Sequence, residues 1–142
     1  MRPLSLALLL LLLSVPGCSS QPALAPSEPL SESDQALGRA FEQHTSNLQV
    51  EGQGAVKRIL PDDNDGRRHQ RFILELSSGQ TLLIDHNIDV APRIPGLREG
   101  DKVAFRGKYE WNPEGGVIHW THRDPGGRHP GGWLKHEGKT YR

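Results

Sequence analysis

A two-residue alternation of apolar and polar side chains limits the fold of this chain more than any other feature. In residues 69–76 (HQRFILEL), Phe72, Leu74 and Leu76 share one face, and His69, Arg71, Ile73 and Glu75 share the other. Residues 81–86 set Leu82, Ile84 and His86 against Thr81, Leu83 and Asp85. Residues 102–111 set Val103, Phe105, Gly107, Tyr109 and Trp111 against Lys102, Ala104, Arg106, Lys108 and Glu110. Side chains on opposite sides at successive positions mark strands with one face buried. Residues 53–60 and 117–121 are read as a first and a fifth strand. Ser77-Ser78-Gly79-Gln80 and residues 112–116 (NPEGG) make the turns. Residues 87–97 carry two prolines and form a long connection with room for one helical turn. A flat ribbon of such strands could not bury Phe72, Leu74, Phe105 and Ile118 together, so the sheet is expected to close on itself. The predicted fold is all-β, a small five-stranded OB-like barrel, with an SH3-like barrel as the alternative.

The first residues stand outside that pattern. Arg2 precedes an apolar run of 12 residues, 4–15. A membrane-spanning helix needs roughly 20 apolar residues, so this run fits the apolar core of an export signal. It ends in Val15-Pro16-Gly17-Cys18-Ser19, which resembles the lipobox of bacterial lipoproteins. Residues 1–17 are read as a signal peptide and Cys18 as the lipidated new N-terminus. Ser19 fits the outer-membrane sorting pattern, placing the protein on the periplasmic face of that membrane. Cleavage after Ala25 would instead leave a soluble periplasmic or secreted protein. Residues 18–33, rich in Pro, Ser and Ala, read as a flexible tether.

Residues 34–142 then form the barrel domain. One domain is what 142 residues allow. It opens on a short helix, in which Leu37, Phe41, His44 and Leu48 follow helical spacing and Ser31 or Ser33 caps the start. It ends in a Gly/His-rich extension from His122 onward, where Trp133 is expected to fold back as a plug. With 16 Gly and 11 Pro, the chain is neither a helical bundle nor a multi-span membrane protein. Cys18 is the single cysteine. The domain has no disulfide, thiol nucleophile or cysteine–zinc site, and its stability must come from its core.

Three blocks carry a family resemblance: Arg68-His69-Gln70-Arg71-Phe72, His86-Asn87-Ile88-Asp89, and Tyr109-Glu110-Trp111-Asn112-Pro113 running into residues 116–125 (GVIHWTHRDP). With these, residues 52–134 resemble a family of small exported bacterial proteins of unassigned function. The resemblance implies an exported location and a compact domain, and it implies no catalytic residue.

The residues least like scaffold are imidazoles, guanidinium groups and indoles. Seven histidines are present, four of them late in the chain: His119, His122, His129 and His136. Imidazole is the commonest protein ligand of zinc, copper and nickel, and His86, His119 and His122 are the candidate set for a divalent transition metal. His119 and His122 have opposite strand parity, so they converge only if the strand breaks near Trp120. No other cofactor is expected. A second cluster, His69, Arg71, His86, Asn87, Arg123 and Asp124, offers charge-assisted bonds to a phosphate or carboxylate. Trp111 and Trp120 supply aromatic surface of the kind OB barrels use for stacking. Nucleic acid is an unlikely partner: residues 101–142 hold eight Lys and Arg against five Asp and Glu, and residues 51–100 hold seven against eight, too even a balance for a polyanion funnel. Residues 62–66 (DDNDG) mimic a calcium loop, but Pro61 and Phe72 occupy positions where its first Asp and closing Glu belong. The expected role is an envelope ligand-binding or structural module, more a binder than an enzyme. It would be anchored to the membrane through Cys18 and meet an unknown envelope ligand or protein. The alternative is a metal-assisted phosphodiester hydrolase.

Overall fold

The computed structural model describes residues 28–142. The expected signal peptide, Cys18 and the expected tether up to residue 27 lie outside the described residues. One helix, α1 (Glu32–Glu42), precedes seven strands: β1 (Leu48–Ile59), β2 (His69–Glu75), β3 (Thr81–Asn87), β4 (Lys102–Glu110), β5 (Val117–His119), β6 (Trp133–His136) and β7 (Lys139–Tyr141). None of the described helices is long and apolar enough to cross a membrane.

The first five strands close in the order β1-β2-β3-β5-β4, with β4 pairing back onto β1. The β3–β5 pair is parallel and the other pairs are antiparallel. This is the expected all-β barrel, OB-like in its strand order. The alternation places its apolar set on the inner face: Phe72, Leu74, Leu82, Ile84, Val103, Phe105 and Ile118 are fully buried. Each such side chain contributes about 1.5–3 kcal/mol on leaving water. β1 is longer than expected and begins at Leu48, a residue assigned by spacing to the helix face. It pairs with β4 from Leu48 to Ala55 and with β2 from Ala55 to Ile59, with a register shift between Val56 and Arg58. A bulge lets one strand serve two neighbours in this way.

The barrel has two differently closed ends. At the first, α1 lies over the β2–β3 and β4–β5 turns. Ser31 caps the helix by accepting from the Asp34 N–H at 3.1 Å, and Glu32 and Asp34 sit at its positive end. The buried Asp34 carboxylate accepts from the Ser77 hydroxyl and the Ser78 N–H, which ties the helix to the β2–β3 turn. At the second end, the 87–101 connection makes a single turn, closed by Ala91 N–H to Asn87 C=O at 3.2 Å. It then inserts the buried Ile94. Gln70 fixes that insertion with both halves of its amide: Nε2 donates to Ile94 O at 3.0 Å and Oε1 accepts from Ile94 N at 2.9 Å.

The segment after His122 departs from expectation. It contains a β6–β7 hairpin that extends the sheet from β4. Leu134 and Tyr141 are buried against the core, and the buried His136 lies 2.9 Å from Asp101. Trp133 is not the plug: it is half-buried, with Lys135 over its ring at 4.3 Å. Strands of four and three residues are too short to show a period of two, and the inward histidine breaks the apolar pattern.

Candidate functional site

A polar groove of about 410 Å³ is cut into the outer surface where β2, β3 and β5 run side by side. It is lined by Arg67, His69, Asp85, Asn87, His119, Trp120, His122, Arg128 and His129. The alternation that sends Phe72 and Ile84 inward sends His69 and Asp85 outward. Register does the rest. His69 pairs with Asn87 and Arg71 with Asp85 across β2–β3. On the other side of β3, Val117 pairs with Leu83, so His119 comes level with Asp85. Its Nδ1 stands 3.7 Å from the Asp85 carboxylate.

The fourth wall is a closed loop, residues 122–132. β5 and β6 share one edge of β4, and the chain leaves that edge after His119 and rejoins it at Trp133. Trp120, at φ 53°, turns the backbone out of the strand. This break lets His119 and His122 face one groove despite their opposite parity. The neck is shut by Gly132 N–H donating to His122 C=O at 2.8 Å. A β-carbon on Gly132 would collide with the carbonyl oxygens of Trp120 and Arg106, and one on Gly107 would collide with that of His119; the two glycines allow the strand ends to meet there.

Inside the loop, Asp124 is the organising group. Its side chain is 1% exposed, and its oxygens accept from the N–H groups of Gly126, Arg128 and His129. The Arg128 guanidinium bond, joined by these N–H donors against the opposing effect of burial, lowers its pKa to about 2. His129 stacks on Trp120 with ring centres 4.2 Å apart, and Lys108 Nζ lies 4.4 Å from the Trp120 ring centre. Trp120 is thus engaged in pinning the loop to the barrel.

Three of the four imidazoles of the groove are held in a shared tautomer. Nδ1 of His69, His122 and His129 each lies within hydrogen-bond distance of a backbone carbonyl, those of Arg67, Arg123 and Pro130, at 2.7–2.8 Å. A carbonyl only accepts, so Nδ1 carries the proton and donates. Nε2 of His129 faces Asp124 at 3.8 Å, and Nε2 of His69 and His122 is left without a partner among the described residues. Beside them, burial works to raise the Asp85 pKa. The His119 contact and the charges of His69, His119 and Arg71 outweigh it, and the carboxyl is held below its usual range. Its Oδ1 is buried without a partner among the described residues.

Of the residues expected at a site, His69, Asn87, His119, Trp120 and His122 line the groove. Arg71 lies beside it, with Nε donating to Pro61 O at 3.2 Å. Arg123 is exposed and is not part of the lining, and Asp124 serves the loop from within. Two expectations fail. Trp111 is at the opposite end, where its Nε1 donates to Phe41 O at 3.0 Å and its ring packs on His44 at 4.1 Å. His86 is fully buried. Its Nε2–H donates to Pro92 O at 3.0 Å and its Nδ1 accepts from the Thr121 hydroxyl at 2.7 Å. Burial, first of all, lowers its pKa to about 4, so the ring is neutral and both nitrogens are occupied. The set His86, His119 and His122 therefore has no common metal position, and no group of three or more metal-ligating side chains converges among the described residues. Sequence reasoning misses Arg67, Asp85, Arg128 and His129 as groove residues. Asp85 is within its reach, since it shares outward parity with His69; the three others depend on loop paths.

A model of a family described as protein of unknown function (DUF3465) matches residues 22–142. The chain belongs to this family. The span matched by the DUF3465 family takes in α1, the barrel, the 122–132 loop and the terminal hairpin, so groove and barrel fall within one unit. No curated protein and no solved structure matches the chain.

Proposed function

We propose that this protein is an exported ligand-binding module of the bacterial cell envelope. It is tethered through lipid on Cys18 and captures a small polar ligand between the outer β2–β3–β5 surface and the 122–132 loop. The observation that carries this reading is the pair of imidazoles, His69 and His122, whose Nδ1 atoms are fixed to backbone carbonyls while their Nε2 atoms have no partner among the described residues and their rings line one groove. Side chains that serve only as scaffold end with their polar atoms satisfied within the fold, as His86 does. A groove of this size lies within the roughly 300–1,000 Å³ typical of small-molecule sites. OB barrels also place ligands on the face of strands 2 and 3, an analogy of fold alone.

Metal-assisted phosphodiester hydrolysis stands second, because His86 is sealed inside the barrel and, among the described residues, the remaining imidazoles do not form a three-donor set with an acid. A panel of small acids, amines and saccharides, read by nitrogen-15 amide shifts of the purified protein, tests the leading reading. Binders are expected to move Asp85, His119 and His122. A second groove lies between α1 and the β2–β3 turn, lined among others by Gly38, Phe41, Gly79 and Gln80, and binders that move only that groove would discard the reading.

A further inference from the structure

We infer that the ligand of the β2–β3–β5 groove carries a phosphoryl group, as phosphate or a phosphate monoester, received by Arg67, Arg128 and the Nε2 atoms of His69 and His122. This deepens the binding reading above and rests on it.

Charge is the first argument. Two guanidinium groups and four imidazoles line the groove, against one carboxylate, Asp85. That carboxylate already faces His119 at 3.7 Å, with Arg71 paired opposite it on β2. The other nearby acid, Asp124, is turned into the loop backbone, and its oxygens lie 3.2 Å from Arg128 and 3.8 Å from His129. Arg67 makes no ion pair among those of the described residues. Arg128 is largely exposed and keeps donors beyond its one bond to Asp124. Guanidinium groups present paired N–H donors that match the oxygens of a phosphoryl group.

Proton chemistry is the second argument. An imidazole with Nδ1–H committed has a single adjustable atom, Nε2, which accepts when neutral and donates when charged. Imidazoles as a class change charge between about pH 5 and 8, and phosphate monoesters lose their second proton near pH 6. One proton can therefore sit on either partner of an imidazole–phosphate contact and keep it bonded. Sulfate has no proton to give near neutrality and needs both imidazoles charged.

The test titrates the purified protein, labelled with nitrogen-15 in its histidines, with inorganic phosphate and with sulfate. At pH 7.5 phosphate is expected to shift Nε2 of His69 and His122 saturably, with sulfate at least about tenfold weaker, and the gap is expected to narrow at pH 5.5. A charge-assisted bond contributes roughly 1.5–3 kcal/mol, so the double variant R67A/R128A should weaken phosphate at least about tenfold while remaining folded, and R67A alone, which breaks no ion pair, should weaken it with an unchanged melting temperature. Glycerol phosphate in solution, and phosphatidylcholine vesicles with and without phosphatidic acid, separate a soluble ligand from a lipid headgroup; saturable binding of either phosphoryl source supports the inference. Equal affinity for phosphate and sulfate at pH 7.5, or full phosphate binding by a folded R67A/R128A, overturns it. If neutral or amine ligands move the groove resonances and phosphate does not, the phosphoryl assignment falls while the binding reading stands. Silence from every probe removes both.

Discussion

The two ends of the barrel handle the same kinds of side chain in opposite ways. Under α1, Trp111 donates to the Phe41 carbonyl and packs on His44, and Asp34 is consumed by the Ser77–Ser78 turn. Most of its polar atoms complete the structure, with Gln80 Oε1 left buried and unpartnered among the described residues. At the 122–132 loop, an indole, three imidazoles and an aspartate are also fixed, but the fixing leaves Nε2 of His69 and His122 and an Asp85 oxygen without partners among the described residues. Aromatic and charged content alone does not separate a cap from a site. What separates them is whether several unused donors and acceptors belong to residues lining one groove.

The sharpest way to break the contrast is Trp111→Ala. It removes the helix-to-barrel packing and one bond to a helix-end carbonyl, and should lower unfolding free energy in urea by about 3 kcal/mol without changing the groove resonances. A loss below about 0.5 kcal/mol, the range of ordinary surface changes, would show that the α1 end is not a structural cap.

A comparable effect is expected from pH through His86. Its folded pKa, about 4, lies below the ordinary value of 6.5, so the unfolded chain binds this proton more readily. The stability it contributes is complete above about pH 6.5 and is lost as pH falls toward 4. The loss amounts to about 3 kcal/mol, because a tenfold change in proton affinity is worth about 1.4 kcal/mol. Urea midpoints across that window should show the slope, and His86→Gln should flatten it. An unaltered slope in that variant would move the effect to another group.

The smallest expected effect is the most informative about the loop end. His122→Ala should change stability by less than about 0.5 kcal/mol, because its one internal bond is a local contact with Arg123 O. A loss of several kcal/mol would make His122 scaffold of the same kind as His86.

The barrel was legible in the sequence because a half-buried strand writes its burial into every second residue. Phe72, Ile84 and Phe105 announce the closed sheet, and the outward partners of that alternation, His69 and His119, are two of the nine residues lining the groove. Histidine itself was ambiguous. His86 and His119 have the same chemistry and opposite faces, and only strand parity distinguishes them; reading parity strictly would have put His86 inside with Ile84. Trp111 follows the inward parity of Tyr109 but lies beyond β4, where no period applies. Arg67, Arg128 and His129 reach the groove through loops, whose paths depend on particular bonds such as Asp124 to the His129 N–H and not on any repeat. The β6–β7 hairpin is too short to declare itself.

The shut neck at Gly132 and His122 makes the intervening segment modular. Both strands flanking it are registered on β4 independently of what the segment contains. Exchanging residues 123–131 as a cassette is therefore expected to leave the β4–β5 and β4–β6 pairings in place.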